Sequence, residues 1–149
     1  MEELTPARRD DEAAVVALLA ACDLPHQDVA KHLEHFTVAR DGGRVIGVIG
    51  LEVHGSDGLL RSLAVAPDRR GEGIARRLYA FLIQRARALG LARLYLLTTT
   101  ARGFFALLGF RTLARESVPD SIRATEEFRV LCPADAVCMV RPLPKEAHG

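Results

Sequence analysis

The chain has 149 residues and a formal net charge of +1, with 49% hydrophobic and 26% charged residues. A chain of this length buries about two-thirds of its surface on folding, so one domain with a hydrophobic core is expected. This composition excludes an intrinsically disordered or membrane-embedded chain, and the near-neutral charge gives no general case for nucleic-acid binding.

The N-terminus and the cysteines indicate the compartment. The start, MEELTPARRDDE, is charged and lacks the apolar segment of a secretory signal, and no apolar run is long enough to cross a bilayer. Cys22, Cys132 and Cys138 are odd in number and have no CxxC spacing. We therefore expect a cytoplasmic protein with buried free thiols, without a disulfide framework or a metal site.

The first half of the chain predicts two helices followed by strands. After a start that can pair as a strand, apolar residues recur at helical spacing, at Val15, Leu18, Leu19 and Cys22. The segment LPHQDVAKHLEHF predicts a second short helix, with Pro25 near its entry. FTVARDGGRVIGVIGLEVHG predicts two strands, because Asp41-Gly42-Gly43 is a hairpin-turn signature, and GLLRSLAV continues the sheet.

The second half alternates helices and strands. The strongest helix is predicted from Ile74 to Leu89, with Gly90 as its stop and one apolar face made of Ile74, Leu78, Phe81, Leu82 and Leu89. ARLYLLTT predicts a strand, ARGFFALLGF a short helix ending at Gly109, RTLARE a strand, PDSIRATEEFRVL a helix and AVCMVRPL a final strand. This order predicts a mixed sheet, partly antiparallel and partly parallel, in one domain over residues 1–143. Residues 144–149 are expected to form a loose tail.

The segment RRGEGIA, residues 69–75, stands directly before the strongest helix. Cations crowd this stretch and the helix that follows, at Arg69, Arg70, Arg76, Arg77, Arg85 and Arg87. A helix N-terminus exposes unpaired N–H groups, and the missing side chains of Gly71 and Gly73 let a phosphate approach them. A dinucleotide fingerprint does not fit, because Arg76 replaces its third glycine, and a P-loop would need Gly-Lys-Ser/Thr. The segment therefore predicts an anion-binding loop of another kind.

The pattern Arg70-x-x-Gly73-x-Ala75 resembles the pyrophosphate loop of the GNAT superfamily of acetyl-CoA-dependent N-acetyltransferases. LRSLAVAPDRRGEGIARRL is similar to the superfamily's strand–loop–helix core, and FFALLGF resembles its FYEKLGF helix end. The resemblance covers nearly the whole chain. It implies an α/β (α+β) fold with a mixed, partly splayed sheet of about six or seven strands and helices on both faces.

The resemblance also implies acetyl-CoA as cosubstrate. Main-chain N–H groups would hold its pyrophosphate, and the main chains of Leu63 and Val65 would pair with its pantetheine like an added strand. Arg69, Arg76 and Arg77 are candidates for outer phosphate contacts, with plain solvation as the alternative. The implied cofactor-binding residues are Leu63, Ala64, Val65, Arg70, Gly71, Glu72, Gly73, Ile74, Ala75, Arg76 and Phe105.

Two catalytic groups that are frequent in the superfamily are missing. The position of its tyrosine acid matches Phe105, and its strand glutamate falls near Leu59. We expect proximity and polarisation of the thioester carbonyl by a main-chain N–H to dominate. Glu52 and His54 are candidate bases acting through water, and the alternative is that neither takes part.

Arg61 is the leading candidate for substrate binding. Alternation along LLRSLAV places it on the same face as Leu63 and Val65, within the sheet. A buried guanidinium needs an anion, either a substrate carboxylate or an acid such as Glu126 or Glu127. The other candidate substrate-binding residues are Thr98, Thr99 and Arg123.

LYLLTTTARGFFALLGF and VPDSIRATEEFRVLCPADAVCM resemble the arsenic-resistance branch of the superfamily and the acetyltransferase domain of N-acetylglutamate synthase. This implies N-acetylation of a glutamate-like α-amine, such as that of arsinothricin or phosphinothricin. The alternatives are a glutamate N-acetyltransferase of arginine biosynthesis and a non-catalytic arsenic-binding or CoA-sensing protein that uses its thiols. We expect a small-molecule amine as partner, no nucleic acid or membrane, and a possible homodimer.

Overall fold

The computed structural model describes residues 2–131 and 135–144. Its helices are α1 Glu12–Ala21, α2 Val29–His32, α3 Ile74–Ala88, α4 Arg102–Leu107 and α5 Asp120–Arg123. Its strands are β1 Glu2–Pro6, β2 Phe36–Asp41, β3 Arg44–His54, β4 Asp57–Val65, β5 Arg93–Thr98, β6 Arg111–Leu113 and β7 Val137–Pro142.

The strands form one seven-stranded sheet in the order β1-β2-β3-β4-β5-β7-β6. Strand β2 pairs antiparallel with β1 and β3, and β7 pairs antiparallel with β5 and β6. Between these groups, β4 and β5 pair in parallel, with Asp57–Leu59 opposite Arg93–Tyr95. The predicted mixed α/β sheet is confirmed.

The chain divides into two compact units. The first contains Met1–Glu52 and Leu60–Arg85, and its buried side chains include Leu19, Phe36 and Leu78. The second contains Val53–Leu59 and Ala86–Gly149. Its core consists of Leu59, Tyr95, Val118, Ile122, Phe128, Cys138 and Val140. The assignment of residues 1–143 to a single domain stays a prediction.

The strongest local signals of the sequence are confirmed. The β2–β3 hairpin turns at Gly42 and Gly43, whose φ angles of 57° and 88° suit the left-handed conformation of a tight two-residue turn. Helix α3 starts at Ile74, and Gly90 follows it with a φ of 76°. Leu89, predicted on the apolar face of this helix, is instead 47% exposed, because it follows the last helical residue.

The C-terminal helix prediction is wrong in its length. An α-helix covers Asp120–Arg123, and a π-helical turn covers Glu127–Leu131. Between them, the Thr125 hydroxyl donates to the Ile122 carbonyl at 2.7 Å and accepts from the Phe128 N–H at 3.2 Å. The threonine side chain thus competes with the helical hydrogen-bond ladder, which explains the break.

The other short elements also differ from the predictions. The second helix has only four residues and is followed by a 3-10 turn at Leu33–His35. The strand predicted over RTLARE narrows to Arg111–Leu113. Such short segments carry too few periodic residues to define their ends.

The thiol predictions are partly confirmed. Cys138 is a buried free thiol, and burial raises its pKa. Cys22 is free but only half-buried, while Cys132 and the tail residues 145–149 lie outside the described residues. Within the two described ranges, no helix has both the length and the apolar composition of a membrane span.

Candidate active site

The loop before α3 has the backbone conformation that its glycines permit. Gly71 and Gly73 have φ angles of +83° and +82°, in the left-handed region that other residues rarely adopt. A Cβ atom at Gly71 would meet nothing within 4 Å, and one at Gly73 would meet only the Arg77 guanidinium, at 3.2 Å. These positions therefore require glycine for backbone conformation more than for space.

The same loop leaves a group of N–H donors at the head of a 15-residue helix. The first N–H to enter the helical ladder is that of Arg77, which donates to the Gly73 carbonyl at 3.1 Å. Over residues 2–131 and 135–144, no main-chain carbonyl accepts a hydrogen bond from the N–H groups of residues 70–76. Unpaired donors and the positive end of the helix dipole together suit an anion.

The arginines around the loop hold its shape. Arg69 donates to Asp41 at 2.8 Å and to Glu72 at 3.0 Å, and its hydrogen bonds to these two carboxylates, the one to Glu72 foremost, raise its pKa. Arg77 donates to the Glu72 carbonyl at 3.1 Å and also pairs with the Glu2 carboxylate. Plain solvation, the alternative considered for these two residues, is therefore wrong: both are ion-paired within the protein.

At the end of β4, some main-chain N–H and C=O groups are directed away from β3. The Ala66 N–H donates to the Ile46 carbonyl of β3 at 2.8 Å, and alternate residues of a strand direct their main-chain groups to opposite sides. Leu63 and Val65 therefore direct theirs away from β3. The Val65 carbonyl accepts from Arg70 Nε at 3.3 Å, which links this strand end to the glycine loop.

A buried charge cluster surrounds Arg61. Its Nη1 donates to Asp28 Oδ2 at 2.6 Å and to Glu52 Oε2 at 2.7 Å, and its Nη2 donates to Asp28 Oδ1 at 2.5 Å. The side chains of Arg61 and Asp28 are fully shielded from solvent, and that of Glu52 is nearly so. His32 lies at the edge, with Nε2 3.6 Å from Asp28 Oδ2 and 3.8 Å from Glu52 Oε2. We refer to Asp28, His32, Glu52 and Arg61 as the charge cluster.

The structure shows how Arg61 is held. Its carboxylate partners include Asp28 and Glu52, which the sequence analysis did not name as counter-ions. The strict alternation assumed along β4 is interrupted at Ser62, a buried residue with a φ of +59°. The Ser62 hydroxyl accepts from Arg61 Nε at 3.1 Å, so this local twist helps to hold the guanidinium.

Electrostatics explain why the charge cluster is stable. Burial of the Asp28 carboxylate acts to raise its pKa, but the hydrogen bonds and the charge of Arg61 outweigh burial and leave the pKa below its usual value. Oxygen and nitrogen atoms of Asp28, His32 and Glu52 lie within 4.8 Å of one another, a spacing that could also suit a cation. Arg61 already supplies positive charge among them, so we assign these residues to an ion-pair cluster.

Apolar packing fixes the Arg61 guanidinium from another side. Its Cζ lies 5.6 Å from the centre of the Phe36 ring, a cation–π distance. The ring in turn lies against Gly50, where an added Cβ would come within 2.6 Å of it. Gly50 therefore makes room for Phe36, which covers the charge cluster.

The remaining predicted residues lie in varied surroundings. Phe105 is buried, with ring centroids 5.2 Å from Phe104 and 5.6 Å from Phe110 in edge-to-face contacts. The Thr98 hydroxyl accepts from the Ala101 N–H at 2.9 Å, before α4. The exposure of the remaining predicted site residues varies. Ala64 and Ile74 are buried, His54 and Ala75 are half-buried, and Thr99, Arg76 and Arg123 are exposed.

Sequence reasoning missed Asp28 and His32. Asp28 directly precedes the short helix α2 and His32 is its last residue, a spacing of four that places two side chains on one helical face. The i, i+4 spacing of an acid and a histidine could have been noticed in the sequence. Its contact with residues of β3 and β4 could not have been predicted, because Asp28 is 33 residues from Arg61.

The sequence matches known acetyltransferases over most of its length. Residues 3–110 match the Acetyltransferase (GNAT) family. The chain belongs to this family. The family resemblance predicted from the glycine loop is thereby confirmed, and GNAT enzymes use acetyl-CoA as cosubstrate.

This GNAT chain is similar to three known proteins in sequence or structure. An amino-acid acetyltransferase of Ralstonia nicotianae is 30% identical over 132 residues, which are 83% of this chain and 29% of that protein. N-acetylglutamate synthase from Neisseria gonorrhoeae, complexed with coenzyme A and N-acetyl-glutamate, superposes with a TM-score of 0.85 at 25% identity, over 97% of this chain and 35% of that one. Rv2747 from Mycobacterium tuberculosis, in complex with CoA and a further ligand, gives 0.81 at 26% identity, over 95% and 99%. The GNAT chain thus spans less than a third of the curated Ralstonia relative.

Proposed function

We propose that this protein transfers the acetyl group of acetyl-CoA to the α-amine of a small amino acid or a glutamate-like antimetabolite, with a role in arsenic resistance. The observation that carries the proposal is the loop at Gly71 and Gly73, which presents unpaired N–H groups at the head of α3. Those donors fit a diphosphate, and nearby main chain of β4 is directed away from β3.

Each predicted residue then has a role in the proposal. The N–H groups of residues 70–75 hold the pyrophosphate, Leu63 and Val65 pair with the pantetheine, and a main-chain N–H at the end of β4 polarises the thioester carbonyl. Ala64 and Phe105 line the donor, and Arg76 makes an outer phosphate contact. Thr98, Thr99, Arg61 and Arg123 are the candidates for the substrate.

The two candidate arginines differ in their freedom to bind a substrate carboxylate. Nη1 and Nη2 of Arg61 already donate to buried carboxylates of the chain. Arg123 pairs with Asp120, whose side chain is 94% exposed. Arg61 is therefore the weaker candidate for binding a substrate carboxylate.

Glu52 and His54 remain the proposed water-linked bases. Glu52 is buried in the charge cluster, whereas His54 is half-buried at the end of β3. A pH–rate profile that is unchanged in both Glu52→Gln and His54→Ala would remove them from the mechanism.

The decisive experiment measures release of the CoA thiol from acetyl-CoA across a panel of amines. The panel contains glutamate, phosphinothricin, arsinothricin, polyamines and lysine peptides, and the proposal expects the highest kcat/KM for one of the two antimetabolites. Hydrolysis without acceptor preference would contradict it. If calorimetry detected no acetyl-CoA binding, the proposed acetyltransferase activity would be contradicted.

Two other functions give different results in the same experiments. Highest kcat/KM for glutamate would favour the glutamate N-acetyltransferase of arginine biosynthesis, which the names of the amino-acid acetyltransferase relatives support. The arsenic-binding alternative requires arsenite affinity that is lost when Cys22, Cys132 and Cys138 are changed to serine. Unchanged affinity in that variant would exclude it.

A further inference from the structure

Two buried carboxylates of the charge cluster face one histidine. Asp28 and Glu52 are both ion-paired with Arg61, and each also lies close to the His32 ring. His32 Nε2 faces both carboxylates, at 3.6 Å and 3.8 Å, and its side chain is 27% exposed. The two carboxylates would stabilise a proton on His32, and solvent can reach that ring.

A second histidine of the same segment shows that this setting is specific. His35 has nearly the same side-chain exposure, 29%, but the carboxylate beside it is that of Glu34, 3.8 Å away and 81% exposed. An exposed carboxylate is screened by water, whereas two buried carboxylates are not. Among the described residues, the charged groups facing the His32 ring are Asp28 before α2 and Glu52 on β3, with Arg61 of β4 behind them.

We propose that His32 is the catalytic proton acceptor for the substrate amine, and that Asp28, Glu52 and Arg61 are its positioning residues. The inference rests on the function proposed above. Arg61 stands two residues before Leu63, whose main-chain groups are directed away from β3 and are proposed to pair with the cosubstrate. The central residue of the charge cluster is therefore two positions along β4 from the segment proposed to bind the cosubstrate. In this mechanism His32 takes the amine proton in place of the water-linked bases considered above, and Glu52 acts through His32.

The proposed step balances as follows. The ammonium form of the substrate gives one proton to the His32 imidazole, and the freed nitrogen lone pair forms the C–N bond to the thioester carbonyl carbon. The C–S bond breaks, and the CoA thiolate takes the second proton of the nitrogen. His32 then returns its proton to solvent. The sum is ammonium plus acetyl thioester giving amide, CoA thiol and one proton.

The test compares His32→Gln with His35→Gln, using the best amine of the panel. We expect His32→Gln to lower kcat/KM by about 10²–10⁴-fold and to remove the acid limb of its pH profile, while acetyl-CoA affinity by calorimetry stays unchanged. His35→Gln should keep both the rate and the profile. Added imidazole should restore rate to His32→Ala, which a purely structural role would not allow.

The outcomes of these experiments separate the role of His32 from the proposed function. Wild-type-like kcat/KM and pH profile in His32→Gln would overturn the role of His32 while leaving the proposed function intact. If His32→Gln loses acetyl-CoA binding, His32→Asn replaces it, and absence of imidazole rescue in His32→Ala overturns the proposal. Absence of transfer by the wild-type protein to every amine would overturn the proposed function itself.

Discussion

Arginine side chains serve opposite purposes in two regions of the first compact unit. In the charge cluster, Arg61 is buried and is fully engaged by the chain's own carboxylates. At the loop before α3, Arg69 and Arg77 hold the backbone in place, while no main-chain carbonyl of the described residues accepts from the N–H groups of residues 70–76.

The difference follows from the cost of burying charge. A buried guanidinium without a partner is expensive, so a fold that contains one also supplies its anions. N–H groups at an exposed helix end can rest on water and exchange it for a ligand at little cost. Internal pairing therefore marks a structural cation, and unpaired main-chain donors mark the proposed ligand site.

The largest expected effect is on stability, in the charge cluster. Asp28→Asn removes the charged group that accepts two hydrogen bonds from the buried Arg61 guanidinium, and we expect the free energy of unfolding to fall by about 1.5–3 kcal/mol. Urea denaturation measures this value. Asp120→Asn is the matched control, because Asp120 also pairs with an arginine but is 94% exposed. Equal urea midpoints for the two variants would contradict the structural role of the charge cluster.

The next effect concerns the loop and separates ligand binding from stability. Gly71→Ala and Gly90→Ala both place a Cβ in open space at a left-handed position, at opposite ends of α3. Both should cost about 1–2 kcal/mol of stability. Only Gly71→Ala should weaken acetyl-CoA binding, by about tenfold or 1.4 kcal/mol, because it distorts the N–H donors. Calorimetry that gives the same Kd for both variants would refute the loop assignment.

The pH dependence of thermal stability should differ between the wild-type protein and Asp28→Asn. Arg61 keeps the pKa of Asp28 below its usual value despite burial, and the hydrogen bonds of Arg40 do the same for Asp11. A carboxyl whose pKa is lower in the folded state contributes stability above its unfolded pKa, near 4, and this contribution is lost as the pH falls through the folded pKa. Thermal unfolding should therefore show a steep decline in Tm below about pH 4, shallower in Asp28→Asn. Parallel curves of Tm against pH for the wild type and Asp28→Asn would contradict a lowered pKa of Asp28 in the folded state.

The smallest effect is expected at an exposed pair of similar geometry. Arg44 donates to both oxygens of Asp68 at 2.8 Å, and this hydrogen bonding lowers the pKa of Asp68 to about 2. Both side chains are more than half exposed, so water and salt screen the pair. Asp68→Asn should change Tm only slightly at low ionic strength and not at all in about 1 M salt. A salt-independent loss as large as that of Asp28→Asn would show that exposure does not distinguish the two pairs.

Much of the fold was predictable because its signals are local. The turn at Gly42-Gly43, the helix from Ile74 and the anion-binding loop each depend on residues within one short segment. The break after α5 was not predictable, since helical periodicity does not show that the Thr125 hydroxyl competes for hydrogen bonds.

By itself, the sequence determined where the chain turns, which helix carries the apolar face and where bare backbone precedes a helix, because glycine conformation and hydrophobic spacing act over a few residues. Tertiary structure alone decided that Asp28 and Glu52 enclose Arg61 and that His32 stands at their edge. A pairing across 33 residues depends on how strands and helices pack, and no periodicity along the chain encodes which buried acid meets which buried base.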